Sequence, residues 1–233
     1  MSRVLAIGDV HEPVSRRGYL QFCKDLYDEW DCDSVVLIGD VADNTAISFH
    51  AQNPEAPGPK DEYEIAKGCM QRWYRVFPNA VITIGNHDSR PTRAAESAKI
   101  PAKFIRDYND LWETPTWNWV HHTIIDKVYY CHGHGKGGGN TPAFNNAKKM
   151  GMSVVMGHFH SRGGVTWACS PLNRWFGMDT GCGVDDTAYA FAYAKEQTQR
   201  SVLGAGVVLD GIPYFEPMPC AKGERYHDSN FKR

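Results

Sequence analysis

Four short segments constrain this chain more than any other feature of its sequence. Each follows an apolar, strand-like run, begins with glycine, and then supplies carboxylate, carboxamide or imidazole groups that can bind metal ions. The segments are Gly8–His11 (GDVH), Gly39–Asp43 (GDVAD), Gly85–Asp88 (GNHD) and Gly157–His160 (GHFH). Because parallel strands end at the same edge of a sheet, this order predicts that the polar side chains converge on one binuclear metal site.

The composition is that of an ordinary globular domain. The chain has 233 residues, of which 42% are hydrophobic and 22% charged, and its formal net charge is −2. There is no global basic field to hold a polyanion, which argues against a processive nuclease without excluding one. We expect a single domain over residues 1–220 and a polar tail at 221–233.

The seven cysteines show no C-x-x-C spacing, which argues against a zinc ribbon or a disulfide framework. Cys131 and Cys169 lie in apolar runs, so both are expected to be small buried residues. The sequence enters a strand pattern at once, without the features of a signal peptide, and no apolar stretch reaches the roughly 18 residues of a membrane span. These observations predict a soluble, cytoplasmic protein.

Strand and helix patterns alternate in the first part of the chain. Short apolar runs predict buried strands at 4–7, 35–38 and 80–84, and helical spacing of apolar residues predicts helices at 17–30 and 61–77. This alternation is typical of βαβ units with a mostly parallel sheet.

The later part is predicted to be rich in strands, with one helix at 140–150 and a hairpin turn at Gly211. Two stacked mixed β-sheets flanked by helices accommodate this order, an α/β (α+β) fold. The predicted strands are 127–131, 153–156, 165–168, 175–178, 188–194, 202–209 and 213–218.

The residue types at the strand ends point to metal ligands. Asp9 and His11 are separated by one residue, so an extended backbone would direct both side chains to the same side. His158 and His160 repeat this spacing, and His132 follows the strand predicted at 127–131. Such imidazoles together with oxygen ligands suit Mn, Fe, Zn or Co better than Ca or Mg alone.

Further motif residues suggest the chemistry. Asp40 supplies a carboxylate that can bridge two cations, and Asn86 supplies a carboxamide oxygen. Two cations neutralise a phosphate ester and activate a water, but the leaving group still needs a proton. His87 is the candidate donor because it lies beside Asn86, and Asp43 is the candidate carboxylate that orients it.

Together, these motifs resemble those of the calcineurin-like metallophosphoesterase superfamily, whose pattern is D-x-H, G-D-x-x-D, G-N-H-D/E, H-G and G-H-x-H. The resemblance covers residues 8–160 and implies a two-sheet sandwich that hydrolyses phosphate mono- or diesters with two divalent ions, manganese above all. It implies that His87 assists the leaving group, with Asp43 behind it. It implies a first ion held by Asp9, His11, Asp40 and His160, and a second by Asp40, Asn86, His132 and His158.

Two departures from the family pattern bear on the site. The protein serine/threonine phosphatase branch has Arg-Gly where this chain has Asn44-Thr45, which weakens a protein phosphatase interpretation. The segment His132-Gly133-His134 offers two imidazoles. His132 is the expected ligand because it is nearest the strand end, and His134 would then face the substrate or surround the metal ligands.

Other candidate substrate contacts have ordinary alternatives. Arg90 is either a phosphate ligand or a common exposed arginine near a strand end. The glycine-rich run at 133–139 lacks P-loop spacing, and it is either a flexible turn or a flap that brings Lys136 to a phosphate. The aromatic run at 111–119 either packs in a core or dimer contact, or walls the cleft.

The expected activity is therefore that of a phosphatase or phosphodiesterase acting on a phosphate ester, with a nucleotide or nucleic acid among the possible substrates and no membrane partner. Two alternatives stay open: a metal-dependent DNA or RNA nuclease on the same fold, and a catalytically silent metal-binding scaffold. The shared metal ligands do not distinguish monoesters from diesters, nor do they fix the metal or the oligomeric state.

Overall fold

Two β-sheets and their flanking helices form the described part of the chain, which comprises residues 2–49, 53–54, 56–185, 188 and 199–219 of a computed structural model. The strands are β1 Arg3–Ile7, β2 Ser34–Leu37, β3 Val81–Thr83, β4 Asn118–Val120, β5 His122–Ile125, β6 Val128–Cys131, β7 Ser153–Met156, β8 Gly163–Cys169, β9 Arg174–Thr180, β10 Gly204–Leu209 and β11 Ile212–Pro217. The α-helices are α1 Tyr19–Glu29, α2 Pro59–Val76, α3 Arg90–Ser97, α4 Tyr108–Trp112 and α5 Pro142–Met150.

The first sheet has the strand order β11-β10-β1-β2-β3-β4. Strands β1 to β4 are parallel, with α1 and α2 in the first two crossovers, as the alternating pattern predicts. Strand β10 pairs antiparallel with β1 and continues into β11 through Asp210 and Gly211, both at positive φ. The predicted hairpin turn at Gly211 is thus confirmed.

The second sheet has the order β5-β6-β7-β9-β8. Strands β6, β7 and β9 are parallel, and the edge strands β5 and β8 are antiparallel to their neighbours. Both sheets are therefore mixed, and helices flank them. This confirms the predicted fold class.

The alternation of side chains along β1 explains how the layers hold together. Val4 and Ala6 belong to the core between the two sheets, whereas Leu5 and Ile7 belong to the core under the helices that cover the first sheet. A third, smaller core lies between the second sheet and α5. The inter-sheet core consists of Val4, Ala6, Val36, Ile38, Val128, Tyr130, Val155, Phe176, Met178 and Val208.

The aromatic run at 111–119 packs in the core, which is one of the two alternatives given for it above. Trp112 and Trp117 are buried in the core under the helices, and Trp117 Nε1 donates a hydrogen bond to the Phe77 carbonyl at 2.8 Å. These indoles therefore stabilise the packing of α2 and α4 on the first sheet.

Some predictions differ from the structure. Cys169 is exposed rather than buried, because it ends the edge strand β8, where one side lacks a neighbouring strand. Helices α3 and α4 and strands β4 and β5 were not predicted, since each is short. The strand predicted at 188–194, apart from Ala188, and the tail at 221–233 lie outside the described residues. In the part described, no helix has both the length and the apolar character needed to cross a membrane.

Candidate metal centre

The candidate site lies where the parallel strands of both sheets end. Asp9, Asp40 and Asn86 follow β1, β2 and β3, and His132 and His158 follow β6 and β7. Three overlapping groups have ligand atoms within 4.8 Å of one another. They are Asp9, His11 and His160; His11, Asp40 and His87; and Asp40, His132 and His158.

Asp40 connects the groups on the two sides of the cluster. Its Oδ2 atom lies 3.7 Å from His11 Nε2 and 3.2 Å from His132 Nε2. The side chains of Asp40 and His132 are almost fully buried, and that of His11 is fully buried. One carboxylate oxygen thus faces an imidazole nitrogen from each sheet.

The orientation of two imidazoles is fixed from behind. His11 Nδ1 lies 2.8 Å from Asp43 Oδ1, and His132 Nδ1 lies 2.8 Å from the Ile38 carbonyl oxygen. A carbonyl oxygen can only accept, so Nδ1 of His132 carries a proton, and a metal ion that displaced the Nε2 proton would meet the Nε2 lone pair directed into the cluster. This arrangement is typical of metal-binding histidines.

Acceptor atoms converge around His132 Nε2. Asn86 Oδ1 lies 3.0 Å from this nitrogen, Asp40 Oδ2 3.2 Å and His158 Nδ1 3.2 Å. On the other side of the cluster, His11 Nε2 faces His160 Nε2 at 3.1 Å. Lone pairs can face one another in this way only around a proton or a metal ion, so the donor set fits divalent cations with mixed nitrogen and oxygen ligation.

The electrostatics of the cluster also favour a cation. Burial raises the pKa of Asp9 and Asp40, but the nearby histidines outweigh it and hold both pKa values below the usual range. In turn, burial lowers the pKa of His132, but the Asp40 carboxylate raises it to about 10. Among the described residues, only histidines lie within ion-pair distance of these two carboxylates. Buried carboxylates in this arrangement require positive charge, and metal ions can replace the protons.

The backbone route to the cluster differs from the prediction. The extended chain expected at Asp9 and His11 is wrong, because β1 ends at Ile7 and φ is +41° at Asp9 and +54° at His11. Asp40 and His158 also have positive φ, of +48° and +71°. Such conformations in non-glycine residues cost on the order of 1–3 kcal/mol each and concentrate at functional sites.

The glycines of the motifs make room for the carboxylates of other motifs. A Cβ atom added to Gly85 would lie 2.1 Å from Asp40 Oδ1, and one added to Gly157 would lie 2.1 Å from Asp9 Oδ2. These glycines are therefore required by the close approach of neighbouring strand ends, a reason that spacing along the chain does not reveal.

His87 and Asp43 lie together, as expected, but Asp43 has a second contact. His87 Nδ1 lies 2.8 Å from the Asp43 carbonyl oxygen and 3.1 Å from Asp43 Oδ1, the same atom that contacts His11. Arg90 Nη1 donates to the Asp43 carbonyl at 2.7 Å, and Arg90 Nη2 lies 3.1 Å from His87 Nε2. Asp43 therefore contacts both histidines, and Arg90 reaches the candidate proton donor.

Two buried carboxylates, those of Asp88 and Glu62, support the loops that carry these residues. Asp88 Oδ1 accepts from the Val41 and Ala42 amides at 2.9 and 3.1 Å, and Asp88 Oδ2 accepts from the Gly85 amide at 2.9 Å. Asp88 therefore holds the turn after β3 and ties it to the loop after β2.

Glu62 of α2 was not anticipated as part of the site. Its two carboxylate oxygens accept from the Thr45 and Ala46 amides at 2.9 and 2.8 Å, two and three residues after Asp43. No sequence signal identifies it, because it lies on a helix that carries no motif.

The remaining candidates lie at the rim. His134 is exposed, with its ring centroid 5.5 Å from that of His132, and Lys136 is half-buried with its ammonium 5.7 Å from the Tyr129 ring centroid. Neither belongs to the three ligand groups.

Comparison with known proteins defines the class. The model of the calcineurin-like phosphoesterase family matches residues 2–183. The chain therefore belongs to this family, which confirms the resemblance of its motifs. The family model thus supports a hydrolase with divalent metals. A comparison with curated proteins found no match.

Solved structures with a similar fold share little sequence identity with this chain. YfcE, a phosphoesterase from E. coli, has 15% identity and a TM-score of 0.46, with 89% of this chain and 88% of that chain covered. Vps29 from Chaetomium thermophilum has 11% identity and a TM-score of 0.49, with coverages of 95% and 91%. The nuclease MPE from Pseudomonas putida has 16% identity and a TM-score of 0.41, with coverages of 92% and 87%.

Proposed function

We propose that this chain is a metal-dependent hydrolase of phosphate esters with a binuclear centre. The observation that carries the proposal is the position of Asp40 Oδ2 between His11 Nε2, at 3.7 Å, and His132 Nε2, at 3.2 Å. A carboxylate placed in this way is suited to bridge two cations. The first ion would be held by Asp9, His11, Asp40 and His160, and the second by Asp40, Asn86, His132 and His158.

When bound, two divalent ions neutralise the charge of a phosphate ester, acidify a water and hold the reacting oxygens in line. Manganese suits the mixed ligand set, and Fe, Zn and Co suit it as well. The tautomers of His11 and His132 are set by Asp43 and Ile38, so these rings enter the reaction already oriented.

His87 is the residue we assign to the leaving group. Its side chain is 17% exposed, and its Nε2 atom lies 4.0 Å from Asp40 Oδ2 at the edge of the cluster. Burial lowers the pKa of His87, but the Asp40 and Asp43 carboxylates outweigh burial and raise it. The protonated ring can therefore give its proton to the departing oxygen and recover it from solvent.

Arg90 controls the availability of that proton. Its guanidinium only donates hydrogen bonds, so the 3.1 Å contact with His87 Nε2 requires an unprotonated nitrogen. When a phosphate oxygen accepts the hydrogen bond of Arg90, His87 Nε2 is released to take up a proton. Arg90 thus couples substrate binding to the protonation of His87.

The test is hydrolysis of p-nitrophenyl phosphate and bis-p-nitrophenyl phosphate, side by side, with manganese and with a chelator. We expect chelator-sensitive hydrolysis of at least one of them. A preference for the diester would define a phosphodiesterase, and a preference for the monoester a phosphatase. Two bound ions with no hydrolysis of either compound, or of nucleotides and oligonucleotides, would contradict the proposal and favour a scaffold.

A further inference from the structure

A strip of cationic side chains leads away from the candidate metal centre. Next to the centre is a cavity of about 180 Å³, whose lining includes His132, His134 and Lys136. Three further imidazole or phenol rings line it, those of His121, His122 and Tyr129. The cavity is therefore lined by both a candidate ligand and a lysine.

A second groove continues from the same lysine. It has a volume of about 420 Å³ and is lined by Lys136, Lys148 and Lys149, together with Asn145 and the glycine-rich loop. The lysines at 148 and 149 are exposed at the end of α5. Neither the cavity nor the groove is lined by a carboxylate.

These cations are not neutralised locally. The ion pairs within the described ranges involve other lysines, namely Lys24 and Lys67, and leave Lys136, Lys148 and Lys149 without a carboxylate partner. In a chain of net charge −2, this concentration of positive charge is a local feature. It is suited to attract several phosphates arranged in a line.

An aromatic surface lies beside this strip. The His122 ring stacks on Tyr129, with centroids 4.9 Å apart and planes at 22°, and His122 is otherwise exposed. Lys136 lies 5.7 Å from the centroid of the same tyrosine ring. A stacked ring next to a phosphate-binding cation is the combination that binds single strands without sequence preference.

We propose that the surface formed by His122, Lys136, Lys148 and Lys149, here called the lysine track, binds a single-stranded nucleic acid. A phosphodiester of the strand lies at the metal centre, flanking phosphates lie along the three lysines, and a base stacks on His122. A mononucleotide would reach only the first cavity, whereas the groove at Lys148 and Lys149 requires a longer chain. This inference rests on the proposed hydrolase function and specifies its substrate class.

The first test measures binding of a fluorescent oligothymidylate by anisotropy at several salt concentrations, with manganese and the His87→Asn variant so that the strand is not consumed. For a single strand, each phosphate contact contributes about −0.7 to the slope of log K against log salt concentration. The double variant Lys148→Gln/Lys149→Gln should therefore lower the slope by about 1.4 and weaken binding about tenfold. The matched control is Lys60→Gln/Lys99→Gln, which removes two exposed lysines elsewhere and should change neither. Equal effects of the two pairs would overturn the inference.

The second test separates the base from the phosphates. The variant His122→Ala should weaken binding of oligothymidylate more than binding of an abasic strand of the same length, because only the former offers a base to stack. Equal losses on both strands would overturn the assignment of a nucleic acid.

The third test separates this inference from the hydrolase proposal. This test uses protein that retains His87. The double variant Lys148→Gln/Lys149→Gln should then keep the wild-type kcat/KM for bis-p-nitrophenyl phosphate, whereas its kcat/KM for the oligonucleotide should fall about tenfold. If the double variant hydrolyses both the small diester and the oligonucleotide as wild type does, only the lysine track is overturned. Absence of any hydrolysis by the wild-type protein would instead overturn the proposed function.

Discussion

At the scale of single residues, the candidate centre is organised by what lies behind each imidazole. Asp43 contacts His11 and His87, and the Ile38 carbonyl contacts His132. These contacts orient the rings before any ion binds, which lowers the cost of assembling the site. We assign His87 a role apart from the ligands, although it belongs to one of the three ligand groups, because its Nε2 atom also faces Arg90 Nη2 at 3.1 Å.

The separation of roles predicts the behaviour of a His87→Asn variant. Turnover should fall by about 10²–10⁴-fold, the usual contribution of a general acid, while the bound metal stays at the wild-type level. The measurements are steady-state kinetics and metal analysis of the same preparation. Undiminished turnover in this variant would show that another group protonates the leaving oxygen.

At the scale of elements, the site depends on ties between loops that are far apart in sequence. Asp88, which follows β3, accepts hydrogen bonds from the Val41 and Ala42 amides of the loop after β2 and from the Gly85 amide of its own loop. These loops carry Asp40 and Asn86. The geometry of both candidate ligands therefore depends on one buried carboxylate.

This tie predicts the effect of Asp88→Asn. The carboxamide keeps one acceptor oxygen but turns an NH₂ group toward a backbone donor, a loss of about 1–3 kcal/mol in the free energy of unfolding. Metal affinity should fall by about 10–100-fold, as for other groups that support ligands. The measurements are thermal unfolding and a manganese titration. The matched control is Asp33→Asn at an exposed aspartate that accepts hydrogen bonds from Arg3 and Ser34, and an equal effect of both variants would contradict the tie.

A second carboxylate links β9 to α5 and predicts a dependence of stability on pH. Asp179 is 8% exposed, its Oδ1 atom accepts from the Ala143 amide at 3.2 Å, and burial raises its pKa to about 7. Because this pKa is above that of the unfolded chain, about 3.9, the folded state binds more protons between these values. Its contribution to stability is therefore present below about pH 4 and is lost as the pH rises to about 7.

The variant Asp179→Asn removes this titration and keeps an oxygen acceptor for the Ala143 amide. The free energy of unfolding of the variant minus that of wild type should therefore increase from pH 5 to pH 8, by on the order of 1–3 kcal/mol. Denaturant unfolding of both proteins at the two pH values measures the difference. A difference between the proteins that is the same at both pH values would contradict the raised pKa.

At the scale of the whole molecule, the candidate centre joins the two sheets. Asp9, Asp40 and Asn86 follow strands of the first sheet, and His132 and His158 follow strands of the second. Ions bound to both sets would therefore cross-link the halves of the sandwich at one edge. The buried carboxylates would at the same time receive the positive charge that they require.

The cross-link predicts that metal stabilises the fold. Manganese at about 100 times its Kd should add about 2.7 kcal/mol to the free energy of unfolding, a rise in Tm of about 5–10 °C for a chain of this size. Thermal unfolding with manganese, and again after a chelator and dialysis, measures this shift. A Tm that does not respond to either treatment would show that the folded state does not bind the metal preferentially.

The sequence predicted those features that depend on local patterns. The strand-end motifs identified the residues that meet at Asp40, and the alternation of apolar runs predicted two mixed sheets with helices. The cross-loop contacts of Asp88 and Glu62 were harder to foresee, because partners up to 47 residues apart meet only after folding. The predicted burial of Cys169 is wrong because an apolar run does not distinguish an edge strand from a central one. The lysine track likewise forms only when the loop at 133–139 packs beside α5.

The most direct test of the binuclear centre is the number of manganese ions bound per chain, measured by elemental analysis after equilibrium dialysis, in wild type and in Asp40→Ala. We expect two ions in the hydrolytically active wild-type protein and at most one in the variant, with loss of hydrolysis, because the variant lacks the carboxylate that we propose to bridge the two ions. Two ions and full hydrolysis in the variant, or full hydrolysis by a wild-type protein that binds a single ion, would contradict it.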